Sequence, residues 1–287
     1  MLRRTLLATL LAAAAFPAAA QTQTITLAVT DVEGLEALQR EWGPFVAAFE
    51  KASGIAMRFF PVNSRTAAVE AMNAKRVDFV LTGPAEYVVF RARTNAVPVV
   101  GFSRPDYYGN IVVLADSDYH LPADLKGKKV AFGSVGSTSR HLAPMQVLAD
   151  QGVDPRRDIQ PVHLSVPVQI ESLKRGDVAA AGLNRTDLMR MREREKDTAF
   201  RVIARGRDLP DDVLIAGSHV PQEIVAKVRE TFVAHSDALI AAIVAVEANR
   251  KYEGMRFIGR IKDSDFNYVR SMYRTIGQAQ FSEFPGN

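Results

Sequence analysis

Gly133-Ser134-Val135-Gly136-Ser137-Thr138-Ser139-Arg140-His141 is the stretch on which the reading of this chain turns. It follows the apolar run Val130-Ala131-Phe132 and precedes a segment in which Leu142, Met145 and Leu148 recur every three residues. That spacing predicts a helix over 138–151, so the stretch is a strand-to-helix turn. Two glycines let the backbone curl tightly, and three consecutive hydroxyls arrive where the first helical N–H groups have no acceptor inside the helix. Those N–H groups, the positive end of the helix dipole and the hydroxyls of Ser137, Thr138 and Ser139 can converge on one cluster of negative oxygens. Arg140 and His141 add positive charge. A single hydroxyl suffices for an N-cap, so three exceed what capping needs. The G-x-x-x-x-G-K-[ST] spacing of nucleotide loops is absent here, as is the G-x-S-x-G of hydrolase elbows.

Outward from this turn, the chain alternates strand and helix. Thr24 to Thr30 alternates as a first strand, Leu35, Leu38, Trp42, Phe45 and Phe49 fall at helical spacing, and Gly54 stops that helix. Pro44 either kinks the segment or starts a new helix. Ile55 to Val62, Val77 to Leu81 and Val97 to Phe102 continue as strands, with helices over Arg65 to Ala74 and around Tyr87. Such alternation predicts α/β architecture, a mainly parallel sheet with ligands beyond the C-terminal strand ends. A fresh series starts near Asn110 and Val130 and runs to Ala204. Leu209-Pro210-Asp211-Asp212-Val213-Leu214-Ile215 then turns into an apolar strand, the return crossover, and the helical remainder is expected to pack on the first series. The expected lobes are 24–108 plus 214–287, and 109–213, joined by two crossover strands with a cleft between them.

Arg3 and Arg4, the apolar run from Leu6 to Phe16 and the small residues Ala18-Ala19-Ala20 predict a cleavable secretory signal over 1–20. The chain has 36 basic and 32 acidic residues. Removing two arginines with the signal leaves a net charge of +2, no footprint for nucleic acid. No cysteine is present, which excludes disulfides, thiolate metal sites and a lipidated N-terminal cysteine. A freely diffusing periplasmic monomer without a cofactor is the expectation. No cluster with metal-ligand spacing and no nucleophile arrangement points to an enzyme; a Ser137/His141 hydrolase lacks the elbow and an oxyanion hole.

The segments Asp124-Leu125-Lys126-Gly127-Lys128-Lys129-Val130-Ala131-Phe132-Gly133, Ser137-Thr138-Ser139-x-His141-Leu142-x-Pro144 and Gly152-Val153-Asp154-Pro155 resemble the PhnD-like phosphate, phosphite and phosphonate-binding proteins of ABC transporters. Val77-Asp78-Phe79, Gly83-Pro84, Tyr87-Val88 and Asp263-Ser264-Asp265-Phe266 extend the likeness over most of the chain. The resemblance implies a type II periplasmic binding fold, a small oxyanion as ligand, and an inner-membrane ABC permease as partner. A sensor histidine kinase is the alternative partner. It also implies that Ser137, Thr138 and Ser139 grip the ligand oxygens and that Tyr107 or Tyr108, at the first crossover, contacts it unless packing at the interface.

Asp212 matches the acid of the family's Pro-x-Asp-Pro turn, with Val213 in place of the last proline; it either accepts a bond from a ligand OH or amine, or is a hinge residue. Arg65 stands near the helix start where relatives carry tyrosine, and its guanidinium either pairs with the oxyanion or is solvated. Asn184, Thr186 and Asp187 follow a second-lobe strand where the family has polar contacts, or they cap the next helix. Relatives read Gly-Ser-His where this chain has Leu164-Ser165-Val166-Pro167, so one donor is missing; His163 or His141 either substitutes for it or is a structural or exposed histidine. Ala179 replaces the family acid, which removes an expectation of amino-phosphonate specificity.

Overall fold

The computed structural model describes residues 23–281, so the signal expected over 1–20 lies outside the described residues. From the first strand the chain runs β1 (Thr24–Val29), α1 (Leu35–Ser53), β2 (Ala56–Phe59), α2 (Arg65–Asn73), β3 (Phe79–Thr82), α3 (Pro84–Thr94) and β4 (Val97–Phe102). It crosses to β5 (Gly109–Leu114), β6 (Lys129–Phe132), α4 (Ala143–Asp150), β7 (Gln160–His163), α5 (Val166–Lys174), β8 (Ala180–Asn184), α6 (Arg185–Arg194) and β9 (Phe200–Arg205). It returns as β10 (Asp212–Ala216), α7 (Gln222–Ala234), α8 (Ser236–Val244), β11 (Phe257–Ile258) and α9 (Asn267–Thr275).

Two sheets result, ordered β11-β4-β10-β3-β1-β2 and β7-β6-β8-β5-β9. Strands β1 to β4 share one direction, and β10 lies antiparallel between β3 and β4. In the second sheet β5 is the reversed strand, antiparallel to β8 and β9 while β6 pairs in parallel with β7 and β8. Each sheet is therefore mixed rather than mainly parallel: among the described residues, three of the five pairings in the first sheet and two of the four in the second are antiparallel. In each, the strand that enters directly from a crossover, β10 or β5, is reversed, because a chain arriving from the other sheet has no helix to turn it round; the short β11 at the edge of the first sheet is reversed as well. Asp212 and Val213 pair with Phe102 and Gly101 in the first sheet, so the return is complete by residue 212.

Helix α1 is continuous through Pro44. Its face of Leu38, Trp42, Phe45 and Phe49 is buried, and Trp42 and Phe45 stack edge to face at 5.7 Å. Burial at about 1.5–3 kcal/mol per large side chain outweighs the hydrogen bond the proline removes. Helices α7 and α8 pack on α1, as the sequence suggests, whereas α9 spans both halves. The Tyr273 hydroxyl donates to the Ala85 carbonyl at 2.9 Å, and Thr275 donates to Gln146 of α4 at 2.6 Å. Leu142 and Ala143 join Val269, Met272 and Tyr273 in one buried cluster. The start of α4 is thereby fixed against the first half of the molecule.

Candidate anion-binding site

The turn after β6 is closed by close backbone contacts. The Gly133 N–H donates to the Arg140 carbonyl at 2.8 Å, and a Cβ on Gly133 would stand 2.5 Å from Arg140 Cβ. Gly136 has φ +86°, which a side chain would strain. The Ser137 carbonyl accepts from both His141 and Leu142 N–H at 3.0 Å, so the helix opens with one widened turn over Thr138–Leu142 before α4 begins. Among the described residues the N–H groups of Thr138, Ser139 and Arg140 have no backbone acceptor. The sequence leads to a regular helix here; the shared carbonyl widens it and leaves the hydroxyl-bearing residues on its first turn.

Thr138 and Ser139 are buried, and each hydroxyl is used as an acceptor. Ala85, at the start of α3, donates its N–H to Thr138 Oγ1 at 3.1 Å across from the other sheet. Asn184 Nδ2 donates to Ser139 Oγ at 3.2 Å, while Asn184 Oδ1 accepts the Asp187 N–H at 2.8 Å and caps α6. A hydroxyl that accepts one bond keeps its proton for another partner. The Thr138 proton is thus available to a ligand, while the Ser139 hydroxyl also meets the Tyr107 phenol across the cavity.

These groups line a cavity of about 300 Å³ whose walls come from both sheets. The structure brings seven sequence candidates to it: Arg65, Tyr107, Ser137, Thr138, Ser139, Asn184 and Asp212. Tyr108 and Thr186 do not line it. The Tyr108 ring carries the Arg205 guanidinium at 3.7 Å, and Thr186 is exposed on α6. The expected substitute histidines are also elsewhere. His141 Nδ1 accepts the Gly136 N–H at 2.9 Å, its ring lies 4.6 Å from that of His163, and burial followed by the charge of His163 depresses its pKa to about 3. His163 Nδ1 sits 2.7 Å from the Gly133 carbonyl. The pair braces the turn from behind.

The sequence reading missed the charge network opposite the hydroxyls. Arg65 Nε lies 2.5 Å from Glu86 Oε1 and Nη2 3.0 Å from Asp31 Oδ1. Lys251 Nζ lies 2.8 Å from Asp31 Oδ2 and 3.6 Å from Asp212 Oδ2. Arg104 lies over the Tyr107 ring at 3.7 Å and 3.4 Å from Asp212 Oδ1, and the Tyr252 hydroxyl donates to Asp212 Oδ2 at 2.7 Å. Lys251 and then Arg65 hold the Asp31 carboxyl far below the usual range against its burial. Burial pushes Glu86 up despite Arg65, and pushes Tyr107 up despite Arg104. Three cations facing three carboxylates leave this wall near neutrality, so charge-matched side chains are held stiffly while the hydroxyl wall presents unspent donors. Gly83 directly follows β3 and Asp31 stands two residues beyond β1, the region where ligand contacts collect in such sheets, and that rule was the signal available for them. Lys251 reaches in from the distant segment 247–252 and carries no local signal.

Among the described residues no group of His, Cys, Asp and Glu is arranged to hold a metal ion, and no helix is long and apolar enough to cross a membrane. Two mixed sheets flanked by helices, joined by two crossovers, with a polar cavity at their strand ends, define a two-lobed binding protein of type II. The chain belongs to the family of periplasmic substrate-binding proteins of phosphonate ABC transporters, which matches residues 27–255. It is 32% identical over 138 residues to the phosphate-import protein PhnD of Mycolicibacterium smegmatis, covering 46% of this chain and 43% of that one. The alignment thus spans less than half of that relative. Two solved structures share the fold. XAC2383 from Xanthomonas citri bound to ATP superimposes with a TM-score of 0.72 at 16% identity, over 90% of this chain and 98% of its own. PhnD1 from Prochlorococcus marinus in complex with methylphosphonate gives 0.60 at 17% identity, over 90% of this chain and 100% of its own.

Proposed function

We propose that the protein captures a small phosphorus oxyanion of the phosphonate, phosphite or phosphate class between its two lobes in the periplasm and delivers it to an inner-membrane ABC permease. The carrying observation is the Ser137-Thr138-Ser139 turn, which offers hydroxyl protons and three unpartnered N–H groups to one cavity. A tetrahedral oxyanion has many acceptors and few donors, so it matches a wall made of donors. The likeness to a phosphate-import protein and to a methylphosphonate-bound one supports the same ligand class. Tyr107, Asn184 and Arg65 complete the enclosure. The Thr138–Ala85 bond is the point at which ligand binding and lobe closure meet, since it joins the hydroxyl turn to the facing helix.

A titration of the purified protein with phosphate, phosphite, methylphosphonate, sulfate and acetate tests this reading. Saturable binding of a phosphorus oxyanion with sulfate and acetate weak or silent is the expected result. Silence toward every phosphorus oxyanion would remove the proposal.

A further inference from the structure

A second hollow, about 440 Å³, adjoins the anion cavity and shares Arg140 with it. Its floor is apolar: Leu164, Val166, Ile170 and Met191, contributed by the β7–α5 connection, α5 and α6. Its mouth is basic. Arg190 and Arg194, one helical turn apart on α6, form no ion pair among the described residues, whereas the nearby acids Glu171 and Glu195 are both taken up by Lys174 at 3.3 and 2.7 Å. Arg140 itself is fixed by two bonds to Asp187, at 2.6 and 3.0 Å, which holds its side chain in the wall common to the two spaces.

Apolar floor, basic mouth and the Arg140 wall shared with the anion cavity together describe one kind of occupant. We propose that the second hollow receives the organic substituent of the bound oxyanion, so that the protein takes organophosphonates bearing an aliphatic chain that ends in a second negative group. This rests on the oxyanion reading above and specifies its substrate class. The phosphonyl group occupies the Ser137–Ser139 turn, the chain passes Arg140 onto Leu164, Val166, Ile170 and Met191, and the distal anion meets Arg190 and Arg194. Shedding water from the chain drives its entry, and the guanidinium pair selects a terminal acid over a terminal amine or a plain methyl.

Two ligand series titrated calorimetrically into the purified protein test this: methyl-, propyl- and pentylphosphonate, and the corresponding ω-carboxyalkylphosphonates. Affinity is expected to rise about three- to fourfold for each methylene added, and the ω-carboxylates to bind about fivefold more tightly than their plain counterparts. Val166→Trp fills the hollow and should cancel the chain-length gain while leaving methylphosphonate unchanged, which also reports that the variant is folded. Arg190→Ala with Arg194→Ala, both on the exposed side of α6, should cancel only the carboxylate gain. A flat chain-length series with methylphosphonate still bound overturns the inference and leaves the oxyanion reading standing. A chain-length gain that survives Val166→Trp, or an ω-carboxylate gain that survives loss of both arginines, also overturns it. Failure of every phosphonate, methylphosphonate included, overturns both.

Discussion

Valine in place of Thr138 keeps the side-chain shape and deletes the hydroxyl. The structure gives that hydroxyl two duties: it accepts the Ala85 N–H at 3.1 Å and has its own proton left for the cavity. Thr138 is 6% exposed and its hydroxyl lies between the Ala85 N–H and the cavity. A hydrogen bond to a charged group contributes about 1.5–3 kcal/mol, which is about a 10- to 150-fold rise in Kd. Orphaning the Ala85 N–H adds a cost of about 1–3 kcal/mol to any state in which the two elements touch. Thr138→Ser keeps both functions and loses only a methyl, so its affinity should stay within about a factor of three, roughly 0.7 kcal/mol. Isothermal titration of wild type, Thr138→Val and Thr138→Ser with methylphosphonate gives the comparison. Equal affinity of wild type and valine, or equal weakness of serine and valine, would refute the reasoning.

Asp212→Asn takes a negative charge from beside Arg104 and Lys251 while keeping the Tyr252 bond in reach. It should lower the Tm without ligand and tighten anion binding by about 1 kcal/mol; weaker binding in the same titration would show that the carboxylate accepts a proton from the ligand. Arg65→Gln leaves Glu86 and Asp31 without their guanidinium and should lower stability by about 1–3 kcal/mol in urea unfolding, with weaker anion binding. Tyr108→Phe and Thr186→Ala, both off the cavity, should leave Kd within about twofold of wild type, under roughly 0.5 kcal/mol. His141 is held neutral in the fold, with a pKa of about 3 against an ordinary 6.5. The unfolded chain therefore binds the extra proton between those values, and stability falls as pH falls. Between pH 7.5 and 5 this costs about 2 kcal/mol, a loss that urea denaturation should show shrinking in His141→Asn.

The hydroxyl turn could be read in advance because its signals are local: two glycines, three hydroxyls and a helical period in adjacent residues. The alternation of strands and helices gave the two lobes for the same reason. The reversed directions of β5 and β10 were not legible, since an apolar run such as Val213-Leu214-Ile215 reads the same in a parallel or an antiparallel neighbour. Pro44 left open whether one helix or two follows β1; the buried face of Trp42, Phe45 and Phe49 decides for one. At the site, Asn184 was legible as either a helix cap or a ligand contact; its Oδ1 caps α6, and its Nδ2 holds Ser139 on the cavity wall. The salt network was hidden for a different reason. Asp31, Glu86, Arg104 and Lys251 acquire meaning only through partners up to 220 residues away in sequence. Tyr108 and Tyr107 are neighbours in the chain, but only Tyr107 lines the cavity, while the Tyr108 ring lies under the Arg205 guanidinium.

A crystal structure of the protein grown with methylphosphonate addresses the central claim most directly. The account predicts phosphonyl oxygens within about 3 Å of the Ser137, Thr138 and Ser139 hydroxyls and the N–H groups of that turn, enclosed by Arg65 and Tyr107 from the facing lobe. Phosphonate density seated elsewhere, with the three hydroxyls turned away from it, would contradict the account.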